Sequence, residues 1–497
     1  MAVARAEGSP VRRAWAWLGT NRLFLLIAFT YAYFHQGSDP NQTSRLALIH
    51  AIVERGAVDI TPAKAMTLDK GGYRGKAYSD KAPGVALLLA PAYAVMRFTD
   101  RLAGRSPDDR GLQRVHLHTL SFLAAGLPAT LGAWFLMHTL LLLGTSRRWA
   151  ELLTVAWALG TLVFPFATLM FGHAMSAGLL LAAFYLLQKW RAAGVAIDLR
   201  RAACLGLVWG TSIIVEYPTG TLVAMMGLYT LSFDLKPRAI ARVLGGAALG
   251  SALPFAAHAV FAYVAYGSPF VLPYKYLLEP IFVAHTSSGI LGIGIPTKVG
   301  IYGALFSTYR GLFFLCPFLA LVFIGFLRWF ERGEHRREMW CLAAMTAVYL
   351  VFATSYYAWD GGGSTGSRHL VPVLGFFVMA IAFFARSSRR AEMVTLALIV
   401  PSVLIMFLCT AVIVQMPEGG LYEANPFYTL VVPSVLRGTF ERNMQDAYYA
   451  REQADAVYNL GTLLGASPRL SLLVPVLTWA FAYGIGALPG RRVHAVA

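Results

Sequence analysis

The sequence predicts an all-α polytopic membrane protein, a bundle of about 12 to 14 transmembrane helices with a long first external loop. Three observations predict it. Of 497 residues, 57% are hydrophobic and only 13% are charged, where soluble domains carry about 25% charged residues. Apolar runs of about 17–25 residues, each able to cross a hydrocarbon core of ~30 Å, recur from one end to the other. Short clusters of Lys and Arg separate those runs, as orientation in a membrane requires.

The formal charge of +17 belongs to these clusters, so it implies no nucleic-acid partner. Cys204, Cys316, Cys341 and Cys409 all lie in apolar sequence with no paired metal-ligand spacing, and read as small buried hydrophobes. Arg12-Arg13 before the apolar stretch Leu23 to Phe34, with no small-x-small cleavage site following, reads as a retained signal anchor. Residues 1–497 form a single integral membrane domain, with external loops at 35–81, 267–310 and 416–467. The implied location is the inner (cytoplasmic) cell membrane, multi-pass, with the polar sequences gathered outside.

Counting crossings leaves one ambiguity. Lys81 outside and Arg147 inside require an odd number, yet two apolar stretches intervene, Pro83 to Met96 and His116 to Leu143. Either the first only dips into the membrane, or the second breaks at Gly126-Leu127-Pro128 into two short helices.

The first loop opens with Gly37-Ser38-Asp39-Pro40 and closes with Tyr78-Ser79-Asp80-Lys81-Ala82-Pro83-Gly84. Between them, Ser44 to Arg55 places Leu46, Ile49 and Val53 on one face, with Gly56 as a stop, which predicts a surface helix. A hairpin is expected with Ala65–Leu68 and Tyr73–Tyr78 flanking Asp69-Lys70-Gly71-Gly72. Asp39 reads as a general base or divalent-metal ligand facing an external acceptor, or as a turn acid where proline stops the first helix. No other cofactor is implied. Lys81, behind Asp80, suits a lipid phosphate at headgroup level; snorkelling is the plainer role.

Later spans add candidates on the same side. His173 begins a span, either as a satisfied structural histidine or as a site residue. Glu216 lies at a membrane edge, where an ionisable group is costly unless paired or wet. Lys275 between Tyr274 and Tyr276, and Arg310 after Tyr309, fit a phosphate clamp with sugar stacking, or an interfacial aromatic belt. The densest run is Trp359-Asp360-Gly361-Gly362-Gly363 through Arg368-His369. Its glycines allow close backbone approach or an anion nest, and Arg368 on the outer side, against the usual bias, points to a phosphate. There is no nucleotide-binding signature.

Taken together, Asp39 at the end of the first span, the Ser44–Arg55 helix and Lys81-Ala82-Pro83 resemble the GT-C superfamily of membrane glycosyltransferases. Its nearest branches are the dolichyl-phosphate-mannose–protein mannosyltransferases and the bacterial lipid A aminoarabinose transferases. The Tyr78–Gly84, Arg310–Phe313, Trp359–Arg368 and Asn459–Gly461 runs are similar to bacterial members with no assigned substrate. The resemblance implies a GT-C-like bundle and transfer of a sugar from a polyprenyl-phosphate carrier. It gives Asp39 the role of catalytic base or acceptor-orienting group, and Lys81, with Arg368, that of phosphate holder. Glu216 reads as a helper of Asp39. The mannosyltransferases carry Asp-Glu where this chain has Asp39-Pro40, and the Trp-Trp-Asp-x-Gly signature of oligosaccharyltransferases is absent, which disfavours asparagine-linked glycosylation. The rival readings are a flippase for a lipid-linked saccharide and a non-catalytic membrane scaffold. Sugar, acceptor and oligomeric state are not legible in these residues.

Overall fold

The computed structural model describes residues 10–37, 39–106, 109–417, 425–440 and 458–484. Among them the architecture is helical, with only two short antiparallel strand pairs. Five helices are long and apolar enough to cross a membrane: Gly111–Leu142, Pro237–Tyr266, Arg336–Ser355, Arg368–Ala385 and Arg389–Val412. The expectation of 12 to 14 crossings also counts shorter apolar helices such as Thr219–Leu231, while the apolar helix Phe427–Arg437 falls within the expected external loop 416–467.

Helix α1 (Pro10–Tyr33) leads into strand β1 (Phe34–His35), which pairs with Tyr458–Asn459 far down the chain. Asn459 then forms a capping box with Thr462 and donates to Ser471 Oγ at 2.9 Å, while the Tyr33 hydroxyl donates to Ser471 O at 2.7 Å. The late segment is thereby fastened to the end of the first helix, beside the loop that carries Asp39.

Helix α2 (Pro40–Arg55) is the expected loop helix with a longer start, and Gly56 ends it at φ +61°. Asp39 does not terminate α1; it begins α2, with Pro40 at the first helical position, where a missing N–H costs nothing. The hairpin is also shifted from its expected register. Its strands are Lys70–Tyr73 and Lys76–Ser79, and the turn is Arg74-Gly75 at φ +48° and +76°. Two consecutive left-handed residues match the twist of a tight hairpin. Gly71 and Gly72 lie within a strand instead, where a Cβ would meet Tyr276 O at 3.0 Å and Leu278 Cδ2 at 2.5 Å.

Helix α3 (Gly84–Leu102) runs alongside α2 in the same direction. At one end Arg45 donates to Ala82 O at 3.2 Å; at the other, Arg97 and Arg101 reach Glu54 at 2.6 and 2.9 Å. The Gly111–Leu142 helix does not break at Gly126-Leu127-Pro128. A π-helical turn over Phe122–Gly126 absorbs the proline and the rod continues for 32 residues. Of the two ways to obtain an odd crossing number, the split helix is therefore removed.

At the far end of the bundle, Glu338 is fully buried and accepts from the Tyr229 hydroxyl at 2.6 Å and from Arg191. Gln188 donates to the same tyrosine at 2.8 Å. This network ties three helices together where a buried charge demands partners.

Gly84 and Gly172 fix how the candidate site closes. A Cβ on Gly84 would lie 2.5 Å from Ile214 O, and one on Gly172 would lie 2.6 Å from Val215 O and 2.7 Å from Glu216 Oε2. Gly84→Ala is expected to cost about 1–3 kcal/mol through overpacking, read as a lowered unfolding temperature in detergent. Gly227→Ala, where nothing lies within 4 Å of the new carbon, is the control and should be neutral or slightly stabilising.

Candidate active site

Three stretches converge: the end of the first loop, the start of the Gly172–Ala192 helix, and the turn after Leu199–Val215. The glycine contacts above press Val215-Glu216 against both neighbours. The His173 Nδ1 consequently lies 3.4 Å from Glu216 Oε2. His369 completes the wall, its ring edge-on to His173 at 5.8 Å and to Tyr356 at 5.0 Å.

Lys81 is held between two carboxylates, Asp69 at 3.1 Å and Asp80 at 3.3 Å. Burial by itself would lower Lys81, but the charges of Asp69 and Asp80 outweigh it and hold the ammonium up at about 12. Asp80 shifts upward, because burial and the neighbouring Asp69 oppose its charge more than Lys81 favours it. Burial likewise raises Glu216, against the pull of Arg45, Arg368 and Lys81. These groups share one electrostatic field at the end of several helices.

Arg368 differs from Lys81. It sits 5.3 Å over the Phe171 ring, its Nε is buried without a hydrogen-bond partner, and it makes no ion pair among the described residues. Lys81 feels its charge.

Asp39, at 4% exposure, caps α2: Oδ1 accepts from the Gln42 N–H at 2.5 Å and Oδ2 accepts from the Gln415 amide. It is joined to the charge cluster by the first turns of α2. Thr67 Oγ1 donates to Pro40 O at 2.6 Å, Ser44 Oγ to Asp69 O at 2.6 Å, and Arg45 Nε to Asn41 Oδ1 at 2.9 Å. Gln42 Oε1 also receives the Met170 N–H at 2.8 Å, three residues before His173.

Four expected site residues are placed differently. Lys275 is exposed and lies 5.8 Å from the Tyr276 ring. Arg310 is fully buried, and its donors reach Gly362 O at 3.3 Å, Met416 O at 3.0 Å and Pro417 O at 3.1 Å. It clamps backbone segments to each other. Trp359 packs against Gly303, where a Cβ would overlap its ring. Asp360 accepts from Gly362 N at 3.1 Å and shapes the glycine turn. Among the described residues, no group of three or more His, Cys, Asp or Glu is arranged to hold a metal ion.

Arg45, Asp69 and Gln415 were missed. A signal for Arg45 existed: Asn41 and Arg45 are four apart on the polar side of α2, and that side is buried.

The fold is similar to that of the Archaeoglobus fulgidus oligosaccharyltransferase. The apo form matches with TM-score 0.53 and 12% identity, over 90% of this chain and 61% of that one. The form tethered with an acceptor peptide containing the NVT sequon gives 0.52 and 11%, over 89% and 61%. ArnT from Cupriavidus metallidurans bound to undecaprenyl phosphate is 14% identical over 95% of this chain and 76% of that one, at a TM-score of 0.47. No family model matches the chain, and no curated protein matches it in sequence. The chain spans about three fifths of the length of the oligosaccharyltransferase. It is a helical membrane protein with the GT-C-like fold that its sequence resemblance implied.

The cap separates two roles of Asp39. Asp39→Ala is expected to lower stability by about 1 kcal/mol or more, whereas Asp39→Asn still caps the helix and should lower the unfolding temperature in detergent less, its amide replacing the oxygen that accepts from Gln415.

Proposed function

We propose that the protein transfers a sugar from a polyprenyl-phosphate carrier to a lipid, glycan or protein acceptor on the external face of the cell membrane. The observation that carries this reading is the Arg368 guanidinium, its Nε buried without a hydrogen-bond partner, without an ion pair among the described residues and within the electrostatic reach of Lys81. A phosphate entering there gains two cations, one of which it does not have to take from a carboxylate.

In the reaction, an acceptor oxygen attacks the anomeric carbon as the bond from that carbon to the carrier phosphate breaks. The acceptor proton passes to Asp39, and the polyprenyl phosphate leaves with the bonding electron pair. Attack opposite the leaving group inverts the anomeric centre. Lys81 and Arg368 stabilise the charge that develops on the phosphate, so no strong general acid is needed. Glu216 and His173 stand beside the phosphate position as a second acid–base pair that can orient the sugar or the acceptor.

The flippase alternative calls for charges at mid-membrane on broken helices. Here Lys81 precedes α3, Glu216 follows the Leu199–Val215 helix and Arg368 opens the Arg368–Ala385 helix. Charges at helix ends favour chemistry at a membrane edge.

The purified protein, incubated with radiolabelled polyprenyl-phosphate sugars and membrane acceptors, should transfer label from one of them. Failure with every donor sinks the proposal. With the active donor, Arg368→Ala should raise the donor KM about 10- to 100-fold, the worth of a charged hydrogen bond. Because Arg368 makes no ion pair among the described residues, the variant should fold normally. Lys81→Ala, by contrast, strands Asp69 and Asp80.

A further inference from the structure

The second oxygen of Asp39 is held by a residue 376 positions away. Gln415 is 2% exposed and lies in the apolar run Ile413-Val414-Gln415-Met416. A buried amide in such a run must find polar partners, and its Nε2 reaches Asp39 Oδ2. We propose that Gln415 is a positioning residue for Asp39, and that residues 414–417 are a strut coupling this acid to the glycine-rich segment that ends in Arg368.

The strut is fastened on both sides of Gln415. Thr365 Oγ1 donates to Val414 O at 2.7 Å. Arg310 donates to Met416 O and Pro417 O, and to Gly362 O. Thr365 and Gly362 both belong to the run between Trp359 and Arg368. A little earlier in the chain, Gln36 Nε2 donates to Thr410 O at 2.9 Å, binding the same stretch to the residues just before Asp39. Backbone that carries the phosphate cation and backbone that aims the acid are thus set against each other by one buried guanidinium.

The choice of an amide has a chemical reason. A lysine or arginine at position 415 would neutralise Asp39 and weaken it as a base. The glutamine amide fixes the direction of the carboxylate with a neutral donor. Oδ1 is committed to the helix cap, so Gln415 sets the rotation of the remaining oxygen toward the acceptor. A catalytic group displaced by about 1 Å loses about 100-fold in rate.

This inference rests on the reading of Asp39 as the acceptor-side base. The test uses the full chain in detergent, with the donor identified by the transfer assay and with undecaprenyl phosphate as a binding probe. Gln415→Met keeps the length and removes the amide donor. It should lower kcat about 10- to 100-fold, with undecaprenyl phosphate affinity changed less than about 2-fold and an unaltered unfolding temperature. Gln415→Glu, which sets a second carboxylate against Asp39, should lose more. If Gln415→Met does not fold, Thr365→Val decides: it loosens the strut without touching Asp39, and an intermediate loss of kcat supports the proposal. Unchanged kcat in the variant that decides, or a loss of kcat matched by an equal loss of phosphate affinity, overturns the positioning role alone. Absence of transfer by the wild type overturns both this role and the proposed function.

Discussion

Buried charge has to be compensated, and in this protein that constraint organises the first loop. Lys81 lies between Asp69 and Asp80, and meeting it requires the chain to fold back from the hairpin onto the start of α3. Ser44 and Arg45 of α2 bind the same place from the other side. In a low-dielectric setting a lone ammonium would be very costly, so the pairing and the shape of the loop come together.

The compensation is uneven. Lys81 is balanced within the loop, and Glu216 is shared among Arg45, Lys81 and Arg368. Among the described residues Arg368 has an aromatic face and no ion pair, at the junction of three elements. The glycines at 84 and 172 make that junction possible, since any larger residue would force Val215 and Glu216 away from His173 and α3.

Much of this could be read from the chain. Lys81-Ala82-Pro83-Gly84 marks a turn into a helix, Glu216 is an ionisable group between apolar runs, and Arg368 runs against the orientation bias. Each signal is local, because composition alone makes these residues exceptional. Asp69 was not legible for an opposite reason: Asp-Lys-Gly-Gly is a good turn by itself, and only Arg74-Gly75 taking the turn frees Asp69 to meet Lys81. Lys275 was over-read because an aromatic-flanked lysine has the same composition in a binding clamp and in an interfacial belt. Arg310 was recognised as unusual, yet its partners are backbone carbonyls at 362, 416 and 417, which no side-chain pattern announces.

By itself, the sequence determined the solvent, the helical class, the resemblance to GT-C glycosyltransferases and the set of charges stationed at helix ends. Hydropathy and the cost of ionised groups in lipid act residue by residue, so they are visible in one dimension. Only the tertiary structure decided which charges pair and which do not. It also decided that Asp39 opens a helix instead of closing one, and that Gln415 reaches it across most of the chain. Those outcomes depend on distances of a few ångströms between segments far apart in sequence, set by glycine contacts and backbone clamps that have no local signature.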